Sequence, residues 1–246
     1  MSGVVASITL RQLLGRRRIL LLLLLGALLV LVAFIYRITG PSASEDDAFT
    51  AELLANFGVG TLLPLVTLIV GTAALGAEID DGTAVYLLSK PISRFSIVLT
   101  KLLVAWLVGA ALACAPMLIA GLIAAAGVGD GGLVIAFVVA TAVGALAYTA
   151  LFVALSLVTG RALVIGLAYV LIWEGFLAGL FEGTRTFSIR QHILALADAL
   201  TDAPAGVLDA TLEPAVALIV GSLIVAASIV VAVRRLSTFE IRGETA

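Results

Sequence analysis

Six long apolar runs divide the chain: residues 19–35, 57–77, 102–129, 133–160, 162–181 and 214–233. Each falls in or above the range of about 17–25 apolar residues that cross a bilayer as a helix. The pattern predicts an all-α polytopic membrane protein with six transmembrane helices, a single transmembrane domain over residues 1–246. Ahead of the first run, Val4, Val5, Ile8, Leu13 and Leu14 mix with Arg11, Gln12 and Arg16-Arg17-Arg18, the composition of a helix lying in the membrane interface. A basic start followed by an apolar run also outlines a signal peptide. This run is longer than a signal's apolar core, and Phe34-Ile35-Tyr36-Arg37 offers no small-residue cleavage site, so a first span is the expectation. Pro64, inside the second run, is expected to kink it, as membrane helices allow.

The connections differ in character. Arg37 to Glu52 is acidic, with Glu45, Asp46, Asp47 and Glu52, and Gly127 to Gly132 reads as a turn. Glu182 to Glu213 is longer and holds an amphipathic helix, because Ile189, Ile193, Leu196, Ala197 and Leu200 recur at helical spacing. Arg190, Gln191, Asp198 and Asp202 take its other faces. After Ala203-Pro204, a second short helix is expected to include Val207, Leu208 and Leu212.

Glu78 to Lys101, between the second and third runs, reads EIDDGTAVYLLSKPISRFSIVLTK. Asp80 or Asp81 can cap a short helix, and Gly82 frees the backbone at its start. Thr83 to Ser89 then carries Val85, Leu87 and Leu88 over one or two turns, until Lys90-Pro91 stops it. Ser93 can cap the next helix, which passes through Arg94 and Lys101 into the third span; seven residues apart, the two cations lie near one face. A short helix held sideways between two spans suits a lever pushed by a cytosolic partner.

Glu78, Gly82-Thr83, Leu87-Leu88-Ser89, Pro91-Ile92-Ser93-Arg94, Ile97-Val98-Leu99 and Lys101 together resemble the motif of the single-domain type-2 ABC transporter permeases of bacteria, and the six-run layout resembles theirs. The resemblance implies that this stretch is a coupling helix seated in a groove of a separate ATPase subunit. Glu78, Gly82, Thr83, Val85, Leu87, Leu88, Pro91, Arg94 and Lys101 are then the ATPase-coupling residues. It also implies two copies of an ABC ATP-binding subunit, a second copy of this permease or a close paralogue, and surrounding membrane lipid. ATP and Mg would sit on the partner ATPase, this chain binding no cofactor itself. The connection before the last span would be an external helical hairpin dipping toward the bilayer; its pattern equally fits a helix lying on the outer surface. Some relatives of this kind drive an extracytoplasmic partner without passing a solute, so mechanotransmission is the alternative to export.

Composition narrows the chemistry. The chain is 62% hydrophobic and only 12% charged, which excludes a soluble domain. No partner role with nucleic acid follows from so few basic residues. Cys114 is the single cysteine, expected to be a small packing residue, and His192 is the single histidine, expected to be exposed. No cluster for a metal and no G-x-x-x-x-G-K-[ST] phosphate loop occurs in the chain, so it is not expected to hydrolyse ATP by itself.

With the N-terminus inside, eleven of the 14 basic residues fall on the inner side: Arg11, Arg16, Arg17, Arg18, Lys90, Arg94, Lys101, Arg161, Arg234, Arg235 and Arg242. Only Arg37, Arg185 and Arg190 fall outside. The bias predicts a cell-membrane protein with both termini and the Glu78 to Lys101 stretch in the cytosol.

Glu174 is the one acid within a predicted span, and about 20 Å past Arg161 it lies in the outer third. Such a carboxylate costs about 2.5–3.5 kcal/mol unless it faces protein or water. It is either a polar contact for substrate or a proton acceptor, or else a structural group paired with Arg185 or Arg190, and the structural pair is the expectation. Gly175, Gly179 and Gly183, every fourth residue, are expected to give a smooth helix-packing face. The substrate class follows only by preference: apolar walls suit a drug, lipid or natural product of amphipathic character.

Overall fold

The computed structural model describes residues 3–13, 15–40, 46–80, 93–126, 131–178, 182–201 and 212–238. All regular structure among them is helical. The elements in chain order are α1 (Gly3–Leu13), α2 (Arg16–Ile38), α3 (Asp46–Glu52), a π-helical stretch (Leu53–Leu62), α4 (Leu63–Asp80), α5 (Arg94–Ala124) and α6 (Gly131–Val158). They continue with α7 (Ala162–Ala168), a second π-helical stretch (Tyr169–Leu177), a 3₁₀ turn (Glu182–Phe187), α8 (Ile189–Ala199) and α9 (Pro214–Ser237). Five helical segments are long and apolar enough to cross a membrane. The fifth apolar run forms a shorter helix, Ala162–Leu177. The expected coupling helix, the turn residues 127–130, the arm with Val207 and Leu208, and the C-terminal tail from residue 239 lie outside the described residues.

α6 is the axis of the bundle. It packs against α4, α5, α8 and α9, and it buries Phe137, Tyr148 and Phe152 completely. Small residues let its neighbours approach. Gly71 and Gly76 of α4 lie against Phe152 and Ser156 of α6, and Gly121 of α5 lies against Val134. With no hydrophobic drive between helices in lipid, such close packing and interhelical hydrogen bonds hold the bundle together. Trp106 Nε1 donates to the Ala142 carbonyl at 2.9 Å, and Cys114 Sγ donates to the Val138 carbonyl one turn away at 3.5 Å. Both join α5 to α6, so Cys114 does more than fill space. α2 leans on α5, where Gly26 leaves room for the ring of Pro116.

The second span starts earlier than its apolar run. The acidic residues before it read as loop, yet Asp46 and Asp47 form the first turn of α3, where the helix dipole favours acids. Asp46, 1% exposed, also pairs with Arg37 at 3.3 Å and accepts a hydrogen bond from Tyr36. Tyr36 stacks on Phe49 with centroids 3.5 Å apart, so the connection is closed by contacts at both of its ends.

Pro64 acts as a helix irregularity of a definite kind. It has no N–H and its ring displaces the carbonyl four residues back. The preceding turns widen in response: the Leu63 N–H reaches back five residues to Gly58, and Thr61 Oγ1 bonds the Asn56 carbonyl. The expected kink therefore takes the form of a π stretch.

The expected N-terminal helix is present as α1. It packs against α5 and α4, with Thr9 and Leu13 buried and Ile8 exposed. α8 packs along α6 and α9. Ile193 occupies the space opened by Gly144, near the middle of α6.

Candidate functional site

Two places in the fold carry the polar groups singled out in the sequence. One is the pair of helix ends that flank residues 81–92. Glu78 lies in the last turn of α4, and Asp80 is the last residue of that helix; whether it caps a following helix lies outside the described residues. Gly82, Thr83, Val85, Leu87, Leu88 and Pro91 lie outside the described residues. On the far side, Ser93 is the N-cap of α5, and its hydroxyl accepts from the Ser96 N–H at 3.3 Å. Arg94 opens α5 and is half-buried.

Lys101 is placed differently from a docking residue. Only 1% exposed, it turns into the bundle, and Nζ donates to the Ala74 carbonyl at 2.8 Å. An ammonium is tolerated there because it meets an oxygen of α4 in the last turns, where the helix dipole favours cations. Lys101 ties α4 to α5. Spacing alone put it on the face of Arg94; it did not show that the long side chain reaches inward.

The second place surrounds Glu174, which is 3% exposed. The buried residues of its helix are Ala162, Gly166, Val170, Glu174 and Ala178. An α-helix holds 3.6 residues per turn, so every fourth residue drifts around it. The wider turn of the π stretch drifts the other way and keeps Glu174 aimed inward. Its carboxylate is satisfied by three donors: Tyr169 Oη at 2.8 Å, the Ile189 N–H at 2.9 Å, and Ser188 Oγ. The expected pair with Arg185 or Arg190 is replaced by this N-terminal contact with α8. Arg190 instead donates to Asn56 Oδ1 at 2.7 Å, on the first π stretch.

Ser188 makes the arrangement local and specific. It is the N-cap of α8, its hydroxyl accepting from the Gln191 N–H at 3.2 Å while donating to Glu174. An acid at a helix N-terminus also faces the positive end of the dipole. Both π stretches thus present a polar side chain, Asn56 or Glu174, to the first turn of α8. Tyr169 carries the contact inward through Phe152, met edge-on at 6.4 Å, to Tyr148 at 6.0 Å. What the cluster does chemically is hold: the carboxylate's bonds are taken up in fixing α8 to the span.

Sequence reasoning missed Ser188, Tyr169 and Asn56. Ser188 had a signal, because Ser188-Ile-Arg-Gln191 has the serine and glutamine spacing of a capping box ahead of an amphipathic helix. Two other expectations are corrected here. Gly175 and Gly183 are exposed, with no helix among the described residues packed on them, and Gly179 lies outside the described residues. His192 is 4% exposed; its Nε2 lies 2.8 Å from the Thr186 carbonyl, and Nδ1 has no hydrogen-bond partner among the described residues. Burial lowers the His192 pKa, against smaller opposing effects of the Thr186 carbonyl and Glu174.

A comparison with curated proteins finds no match. A family model described as ABC-2 family transporter protein matches residues 13–181, from the end of α1 through the Glu174 helix, including the stretch that carries the coupling motif. With most of its length so matched and with apolar helices that cross a membrane several times, the chain belongs to the ABC-2 transporter family, as a multi-pass membrane permease subunit that works with an ATP-binding subunit.

Proposed function

We propose that the chain is the transmembrane half of an ATP-driven exporter, working as two copies, or as one copy with a close paralogue, on two copies of the ATP-binding subunit. Six crossings, with both termini and residues 81–92 in the cytosol of a prokaryotic cell, fit the basic-residue bias, the helix Ala162–Leu177 being the short fifth crossing. Glu78, Gly82, Thr83, Val85, Leu87, Leu88, Pro91 and Arg94 form or flank the lever on the ATPase.

The observation that carries the reading is the tie between the two helices that flank that lever. Residues 81–92 are strung between α4 and α5, and Lys101 on Ala74 fastens these helices to each other. A push on the lever therefore moves α4 and α5 together against α6. ATP and Mg on the partner close the ATPase pair. The energy enters because the closed pair binds one conformation of the permease better than the other. Glu174 is spent on holding α8, which leaves the described spans with mostly apolar walls and only a few neutral hydroxyls, such as those of Thr100, Tyr148 and Thr149, without partners. An apolar or amphipathic substrate, such as a drug, lipid or natural product, suits such walls.

Inside-out vesicles holding the permease and its ATPase test this. An amphipathic fluorescent dye should accumulate in an ATP-dependent way, and a variant ATPase unable to hydrolyse ATP should abolish it. Hydrolysis without uptake of any of a panel of amphipathic dyes, but with an ATP-dependent change in a bound extracytoplasmic protein, would replace export by mechanotransmission.

A further inference from the structure

Residues 11–18 hold four arginines, Arg11, Arg16, Arg17 and Arg18, and no acid occurs in the chain before Glu45. Arg11 is exposed in the last turn of α1, and the other three form the first turn of α2. The apolar span of α2 starts at Ile19, directly after them. A helix that enters the hydrocarbon at residue 19 holds the turn before it, about 5 Å long, at the level of the lipid headgroups. α1 and α2 both pack on α5, so the cations are carried by anchored helices and not by a loose tail.

The surrounding helices hold too few acids to neutralise them. α1 packs on α4 and α5, whose acids are Glu78 and Asp80 in the last turn of α4. α2 packs on α5 and the first π stretch, which have none. Three cations share the first turn of α2, which contains no acid and is capped by Gly15, without a side-chain oxygen. They repel one another and face the positive end of the helix dipole. Just beyond them α2 exposes Leu20, Leu21 and Leu24, each more than half accessible. An anion that carries apolar chains answers both features; a soluble phosphate answers only the first.

We propose that the junction of α1 and α2 binds the headgroup of an anionic phospholipid, with its phosphate between Arg11 and the arginines that open α2 and its acyl chains along Leu20, Leu21 and Leu24. A basic cluster beside a membrane span gains about fivefold in affinity for anionic lipid per arginine near the surface. The site requires neither the lever of residues 81–92 nor a particular orientation of the chain in the membrane.

Purified permease in phosphatidylcholine nanodiscs, doped with a photoactivatable phosphatidylglycerol or its phosphatidylcholine counterpart and mapped by peptide mass spectrometry, tests the site. The anionic lipid should label peptides holding residues 8–24 about fivefold or more above the zwitterionic one. Replacing Arg16, Arg17 and Arg18 together by Gln should remove most of that preference. Replacing them by Lys should keep it, since charge is what attracts. Labelling by the zwitterionic lipid reports intact folding in each variant. Arg234→Gln with Arg235→Gln, at the end of α9, should leave the preference at residues 8–24 unchanged. Sodium phosphate should compete no better than sodium chloride at equal ionic strength. No preference for the anionic lipid, a preference kept by the Gln variant, or one lost equally on changing Arg234 and Arg235 would each overturn the proposal. Competition by phosphate beyond that of chloride would overturn it too, by making the ligand a soluble anion.

Discussion

Glu174 keeps its place in a membrane helix because Tyr169, Ser188 and the Ile189 N–H replace the water a carboxylate loses. Hydrogen bonds to charged groups contribute about 1.5–3 kcal/mol each. Ser188→Ala removes one such bond and the helix cap together, and should lower stability by about 2–4 kcal/mol. The apparent Tm in detergent should fall by about 2–4 °C for each kcal/mol. In a Glu174→Gln background the same change should cost markedly less, since the pair acts as one contact. Additive losses would mean that the two side chains do not depend on each other. The existence of a special acid was legible from its isolation in an apolar run. Its partners were not, because choosing among Ser188, Arg185 and Arg190 depends on how the 3₁₀ turn folds back, which periodicity does not encode.

At the scale of elements, hydropathy predicted the helical type throughout; five of its six runs form helices of spanning length, the other forms the shorter Ala162–Leu177, and some ends are shifted. α3 begins with acids that an apolar count discards, whereas the start of α5 at Arg94 was legible from Ser93 as its cap. The π stretches were hidden for a different reason: they answer to Pro64 and to the inward aim of Glu174, which are matters of hydrogen-bond register. α8 packs into the bundle because Gly144 leaves a notch for Ile193. Gly144→Leu should push α8 away and cost about 1–3 kcal/mol by overpacking. Pairing it with Ile193→Ala should recover most of that loss, as thermal unfolding of the single and double variants will show. No recovery would place the strain elsewhere. Lys101→Met tests the tie between α4 and α5. It should leave the ATPase bound in pull-downs yet reduce substrate-stimulated hydrolysis by about fivefold or more, as loss of a 1–1.5 kcal/mol contact would. Unchanged stimulation would show that the helices move together without it.

For the whole molecule, the basic-residue bias predicts which side each connection occupies. Single cysteines at positions 90 and 198, introduced after Cys114→Ala, should separate in intact cells under an impermeant thiol reagent. Position 198 should label and position 90 should not; the reverse pattern would invert the orientation. The central claim is that residues 81–92 are the lever through which an ATPase drives the bundle, and Leu88→Asp tests it most directly. Burying an apolar side chain in a partner's groove contributes about 1.5–3 kcal/mol, and a carboxylate there forfeits it. Permease content in the membrane and ATPase recovered with it should be measured together. The account predicts normal permease levels with the ATPase lost, or bound but no longer stimulated by substrate. Full recovery of the ATPase with parental stimulation would contradict it, and would make the stretch a passive loop.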